Sequence, residues 1–359
     1  MAMSYGAGVV VTDFGSGDYG TTLAAQADGS LLFLGSSGYS FALARYDENG
    51  NIDTQFATNG MVTTVPAYGF TMGNDVTVQS DGRILAVGTS AQKIALVRYN
   101  AEGGLDTTFG TNGVVLTEYM GADSGRSVLL QSDGKIIVAG DSYGDLLIAR
   151  YNTDGSIDTT FGSAGLTQTH IYSDYDFATN AVLQTDGKIL VSAETNGNLA
   201  LVRYNTNGSL DTTFGNAGIV VPDLGGNEKV YGLVLQPDGK IVLSGKYNND
   251  VVLVRYNTDG TLDSGFGDAG FISHDLGGNR VDESYALALQ DDGKLVSVGY
   301  SGLDMAIIRY NTNGTLDETF GNDGYVITRF DANEVLTSVL IQEDGRIVVA
   351  GQASDEINA

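Results

Sequence analysis

Six arginines each stand eight residues before an aspartate: Arg45/Asp53, Arg98/Asp106, Arg150/Asp158, Arg203/Asp211, Arg255/Asp263 and Arg309/Asp317. Each arginine ends an apolar run such as Asn198-Leu-Ala-Leu-Val-Arg-Tyr204, and each aspartate opens an Asp-x-x-Phe turn. A guanidinium at the end of a run covered on both faces leaves water and needs an anion. A carboxylate at the head of a turn caps free amides. A structural ion pair is therefore expected at every copy, and recurrence in every unit points to architecture.

The same stretch offers a second chemistry. Asn152-x-Asp154-Gly155-x-x-Asp158 and Asn257-x-Asp259-Gly260-x-x-Asp263 place oxygen ligands at alternate positions, as a calcium loop does. A full loop has glycine at the sixth place and a bidentate acid at the twelfth. Here glycine is fourth, Ser163 stands at the twelfth, and Asn207 and Asn313 replace the central acid in two copies. These turns also fit plain Asn-x-Asp-Gly β-turns. Calcium is the one cofactor left open.

Other catalytic constellations are sparse. With no cysteine there is no thiolate nucleophile, disulfide or thiolate metal site. The two histidines, His170 and His274, fall in outer strands of different units, away from any nucleophile. Carboxylate pairs for glycoside hydrolysis exist at Asp174/Asp176 and Asp282/Glu283. In so acidic a chain such pairs also read as solvated loop residues. The expectation is a protein that is not an enzyme, a carboxylate-dependent carbohydrate-active enzyme being the alternative.

The net charge of -26 repels phosphate backbones and anionic lipid, which argues against nucleic-acid partners. No 18-residue apolar run is present, so no membrane insertion is expected. The first eight residues lack the basic and apolar regions of a signal peptide. That fits a mature form, export without a cleaved leader, or retention.

These residues sit in a repeat. The six arginines are 53, 52, 53, 52 and 54 residues apart, and Gln-x-Asp-Gly begins at Gln26, Gln79, Gln131, Gln184, Gln236, Gln290 and Gln342. One unit reads as four strands: Ala181-Val-Leu183, an Asp-Gly hairpin, Lys188-Ile-Leu-Val-Ser192, then Asn198–Tyr204 and Ile219-Val-Val221. Four antiparallel strands, repeated with little helix pattern between them, predict propeller blades. Seven hairpin turns predict a seven-bladed β-propeller filling residues 1–359 as one domain. Residues 8–14 resemble a fourth strand and residues 335–359 supply earlier strands, predicting a mixed closing blade.

The order Leu-Asp-Thr-Thr-Phe-Gly, Gly-Val-Val, Gln-x-Asp-Gly-Lys-Ile-x-Val-x-Gly, Leu-x-Arg-Tyr-Asn-x-Asp-Gly resembles the delta-60 repeat, a propeller-forming family of bacterial, often surface or secreted, proteins. The resemblance covers nearly the whole chain. Departures are local: Ala57 and Ala193 replace glycines, and the first unit lacks the full Leu-Asp-Thr-Thr-Phe-Gly. The resemblance implies a propeller and brings no activity or catalytic residues.

Within the chain the hairpin turns hardly vary, whereas the fourth-to-first and second-to-third connections do. In a four-stranded blade both emerge on one face, and loops on a rigid scaffold carry recognition. Candidates for that face are Asp123, Asp141, Tyr143, Asp145, Tyr172, Asp174, Tyr175, Asp176, Tyr247, Asp250, Asp282, Glu283, Tyr300 and Asp304. Flat rings beside hydrogen-bonding groups suit a glycan or a protein surface. The expected function is a recognition or adhesion module, extracellular or on a cell or virion surface. The alternative is a structural component whose partners are neighbouring subunits of an assembly.

Overall fold

The computed structural model describes residues 8–354, apart from 16, 173–174, 223, 279 and 330–332. The architecture is an all-β, six-bladed propeller of four-stranded antiparallel blades, spanning residues 18–64, 71–117, 123–169, 176–220, 228–274 and 282–328. In the third blade the strands are Asp123–Leu130, Ile136–Ser142, Asp145–Tyr151 and Leu166–Thr169. Their hairpin glycines take positive φ, as at Gly134 (82°), where an L side chain would be strained. Second and third strands are buried on both faces, as the continuous apolar runs require.

The expected count of seven four-stranded blades is corrected. The seventh Gln-x-Asp-Gly turn joins only two strands, Asn333–Ile341 and Ile347–Ser354. Residues 8–14 form no strand, so an N-terminal strand does not pair into a closing blade. The physical reason is that an outermost strand needs a third strand to bond to, and among the described residues none lies beside Ile347–Ser354. The N-terminal stretch is held by side chains instead: Thr12 Oγ1 lies 2.5 Å from the Tyr46 hydroxyl. The two-stranded sheet abuts the first blade through Leu23 N donating to Ser338 Oγ (3.0 Å) and Thr337 Oγ1 donating to Gly20 O (3.1 Å).

Neighbouring blades share a repeated joint on the turn face. Arg98 Nε binds Asp106 at 2.8 Å, and its guanidinium lies 4.3 Å from the centre of the Phe109 ring. Arg98 Nη1 donates to Thr153 O of the next blade (2.6 Å), and Gly110 N donates to Asp154 O (2.9 Å). Gly155 completes the turn against Phe109, where a Cβ would come within 2.8 Å of the ring. The same Arg Nη1 bond recurs from Arg45, Arg150, Arg203 and Arg255 to Ala101, Thr206, Thr258 and Thr312. The apolar residues of each blade interdigitate with the next, so the core is a ring of inter-blade clusters.

Candidate functional site

First strands of consecutive blades touch one another and so surround the axis. Each carries a β-bulge, which turns one extra side chain out of the ladder. The bulged residues are Thr21, Asn74, Arg126, Thr179, Tyr231, Tyr285 and Thr337, each five residues before its Gln-x-Asp-Gly. All seven are half-buried, as expected of groups lining a solvated channel. Three of them link blades: Thr21 Oγ1 donates to Gly73 O, Asn74 Nδ2 to Gly125 O, and Thr337 Oγ1 to Gly20 O.

The chemistry changes along this ring. On the third blade Arg126 Nε pairs with Asp141 at 2.9 Å; Asp141 is nonetheless raised above the carboxylate range, burial outweighing the cation. Tyrosines collect on the fifth and sixth blades. Tyr231 and Tyr285 have ring centres 4.7 Å apart, and Tyr285 stacks on Tyr300 at 6.0 Å. Tyr300 OH donates to Glu283 Oε2 (2.9 Å), which also faces Lys246 Nζ at 3.4 Å. Glu283 is 4% exposed, and its Oε1 is buried with no hydrogen-bond partner among the described residues. Burial first, and then the Glu283 charge, raise the phenols of Tyr231, Tyr285 (to about 12) and Tyr300. At neutral pH these phenols are protonated donors.

The variable connections do lie on one face, that of the Glu283 cluster. From the second blade to the sixth, the second-to-third turn bonds the start of the next blade or sheet, as in Asp176 N to Gly144 O and Asp282 N to Asn249 O. Tyr143, Tyr172 and Tyr175 are exposed there, and Tyr175 stacks on Phe177 (5.8 Å). Several acids proposed for this face are braces instead. Asp123 accepts from Tyr119 N (2.6 Å) and from the Ser142 hydroxyl; Asp176 accepts from Ile171 N (2.7 Å) and Thr195 Oγ1 (2.5 Å); Asp282 accepts from Leu276 N (2.7 Å). All three are buried. Tyr247 OH donates to Leu224 O, Asp250 accepts from Ser273 Oγ, and Asp304 faces Arg280 (3.2 Å). Asp174 lies outside the described residues.

On the opposite face each repeated carboxylate pairs with its arginine, and all but Asp53 with a second cation. Asp158 Oδ2 binds both Lys135 Nζ (2.8 Å) and Arg150 Nε (2.7 Å); Lys135 first, then the Thr160 donors and Arg150, hold it far below the usual carboxylate range. Asp211, Asp263 and Asp317 each have the same arginine and lysine partners. The residues proposed as calcium ligands bond within their own turns: Asp154 Oδ1 accepts from Ser156 N and Oγ, Asp259 Oδ1 from Thr261 N and Oγ1, and Asn152 and Asn257 bond across their turns. Among the described residues one other group could approach a metal. Asp145, His170 and Asp176 offer atoms within 4.8 Å of one another, but both Asp176 oxygens already accept internal donors. Asp145 raises the exposed His170, and burial lowers His274.

Sequence reasoning named Asp141, Glu283 and Tyr300 but missed Arg126, Tyr231, Lys246 and Tyr285. The missed signal was positional. Aligning the units on their own hairpin turns shows the fifth residue before each turn changing from threonine to asparagine, arginine or tyrosine.

Fold and site together define a β-propeller with an axial cluster of aromatic and charged groups. The chain belongs to the beta-propeller family described as domain of unknown function DUF5122, matched at residues 26–56, 79–109, 131–161, 184–214, 236–266 and 290–320. That shows the propeller-forming repeat which the sequence resemblance implied. No curated protein matches the chain. Similar solved structures include a streptogramin B lyase, at 14% identity and TM-score 0.58 over 94% of this chain and 91% of that one. Another is a catalytically inactive virginiamycin B lyase from Staphylococcus aureus with quinupristin, at 12% identity and TM-score 0.60 over 95% and 94%. A protein from Lactobacillus plantarum aligns at 15% identity and TM-score 0.51 over 81% of each chain. The expectation that the protein is not an enzyme is corrected by these lyases: the same architecture carries catalysis elsewhere. At such identities the likeness is one of fold, and fold alone establishes no activity.

Proposed function

We propose that the protein recognises a carbohydrate at the axial mouth on the loop face. The observation that carries this reading is the convergence of Tyr231, Tyr285 and Tyr300 on Glu283, whose Oε1 is buried without a donor. An unsatisfied buried carboxylate oxygen is costly, and a ligand hydroxyl would satisfy it. Tyrosine faces beside it suit the apolar C–H face of a sugar ring, and Lys246 adds a donor.

The test is a glycan panel probed with the full chain, followed by titration calorimetry on any glycan retained. Tyr285→Ala and Glu283→Gln should each weaken binding by at least tenfold while the melting temperature holds. A panel with no glycan bound below millimolar concentration sinks the reading. Chromatography of the bound glycan separates recognition, which returns it intact, from cleavage.

A further inference from the structure

The joint between blades is a socket with three fixed parts: a guanidinium, a main-chain N–H and the face of a phenylalanine ring. In five copies the socket is filled by the Asn-x-Asp-Gly-type turn of the following blade. The sixth copy, on the blade spanning residues 282–328, has the parts without the filling. Arg309 binds Asp317 (2.7 Å) and Thr319 Oγ1 (3.5 Å), but among the described residues no neighbouring carbonyl accepts from its Nη1. Phe320, whose five counterparts are fully buried, is half-exposed.

The strand above that socket is bare in the same way. Met305 and Ile307 are half-buried, although their counterparts in the other third strands are buried beneath the next blade. The inter-blade cluster here holds three buried residues, against ten to thirteen in each of the others. A cavity of about 450 Å³ opens between these residues, the strand Ile347–Ser354 and residues 8–14. Among the described residues Ile347–Ser354 pairs on one side only, which leaves an edge able to accept another strand.

We propose that this seam docks a segment of a partner polypeptide built like the repeat's own third strand and turn. Such a segment is an extended run, apolar on both faces, that ends in Arg-Tyr-Asn-Thr-Asp-Gly. The five filled joints define the occupant. Its strand covers Met305 and Ile307 and pairs with the Ile347–Ser354 edge. Its turn carbonyls accept from Arg309 Nη1 and the Gly321 amide, and its glycine lies on Phe320. Only glycine fits that place, because a Cβ there meets the ring at 2.7–3.0 Å in the filled copies.

The test uses the full chain and a fluorescent peptide copying residues 145–156, carried on a solubilising lysine tail. Anisotropy should show saturable binding at micromolar to submillimolar concentration. The same peptide with Gly155→Val should bind at least tenfold more weakly, as should the wild-type peptide to protein carrying Ile307→Asp. Circular dichroism of that variant checks that the blades remain folded. Absence of saturable binding to the wild-type chain overturns the proposal, as does binding indifferent to Gly155→Val. Binding that appears only after removal of residues 355–359 also overturns it, since the chain itself then holds the slot.

Discussion

The turn face and the loop face of this propeller are the two ends of the same strands, yet they are built on opposite rules. On the turn face, arginine, aspartate and phenylalanine recur six times at nearly one geometry, with Arg Nε to Asp distances of 2.7–2.8 Å. On the loop face the axial positions change identity from blade to blade: Thr21, Asn74, Arg126, Thr179, Tyr231, Tyr285. Identical chemistry at every joint is what holding neighbours together requires. A single ligand on the axis meets a different blade on each side, so a site for it is asymmetric by necessity. The difference separates what assembles the molecule from what the molecule presents.

The largest effect is expected on the turn face. Phe214 is fully buried in a filled joint, and Phe214→Ala should cost about 3–5 kcal/mol, the range for a large aromatic lost from a core. Phe320→Ala, at the open joint, should cost less than half as much. Thermal and urea unfolding of the two variants measure the contrast. Equal losses would show the sixth joint to be as closed as the rest, and the ring to be uniform.

A second contrast sets burial against ion pairing. Asp263 is held at about 2, mainly by Lys240 with Arg255 assisting. Its stabilising contribution is present above the unfolded value near 4 and is lost as pH falls toward 2. Asp75 is half-buried between the second and third blades, accepting from Val128 N (2.8 Å) and Ser127 Oγ (3.1 Å). Burial raises it to about 6, so the native state keeps a proton that the unfolded chain releases near 4. That contribution is fully present below pH 4 and is lost as pH rises through 6, a change of up to ~3 kcal/mol. Urea unfolding from pH 4 to 7 should show this decline in the wild type and a shallower one in Asp75→Asn. An unchanged slope would place the decline in the general repulsion of an acidic surface.

The turn face was legible in the sequence because its residues repeat: a period near 53 residues and the eight-residue Arg–Asp spacing are visible without coordinates. The lysine that follows four of the Gln-x-Asp-Gly turns, Lys135, Lys188, Lys240 and Lys294, was overlooked as the aspartate's second partner, since it lies 23 residues away across the blade. The blade count failed because a turn motif records a hairpin, and the hairpin at Gln342–Gly345 has no third strand beside it among the described residues. The axial cluster was the hardest to see. Bulges break the two-residue alternation that tells inward from outward, and Tyr231 and Tyr285 meet only because successive blades bring distant positions together.

The smallest predicted effects test whether even the repeated parts are equivalent. Tyr204 OH donates to Thr169 Oγ1 at 2.8 Å, as Tyr99 OH does to Thr64, both pairs buried. Each threonine ends a fourth strand of the preceding blade. In the fourth blade Pro222 stands at that place in the sequence, and the Tyr256 hydroxyl is buried without a partner among the described residues. Tyr204→Phe should therefore cost about 1 kcal/mol, because it removes a bond and strands the Thr169 hydroxyl. Tyr256→Phe removes only an unsatisfied group and should be neutral or stabilising by roughly the same amount. Chemical denaturation of the two variants side by side resolves the difference. A loss at Tyr256 equal to that at Tyr204 would mean that the hydroxyl finds an acceptor, and that the fourth joint is as well satisfied as its neighbours despite the proline.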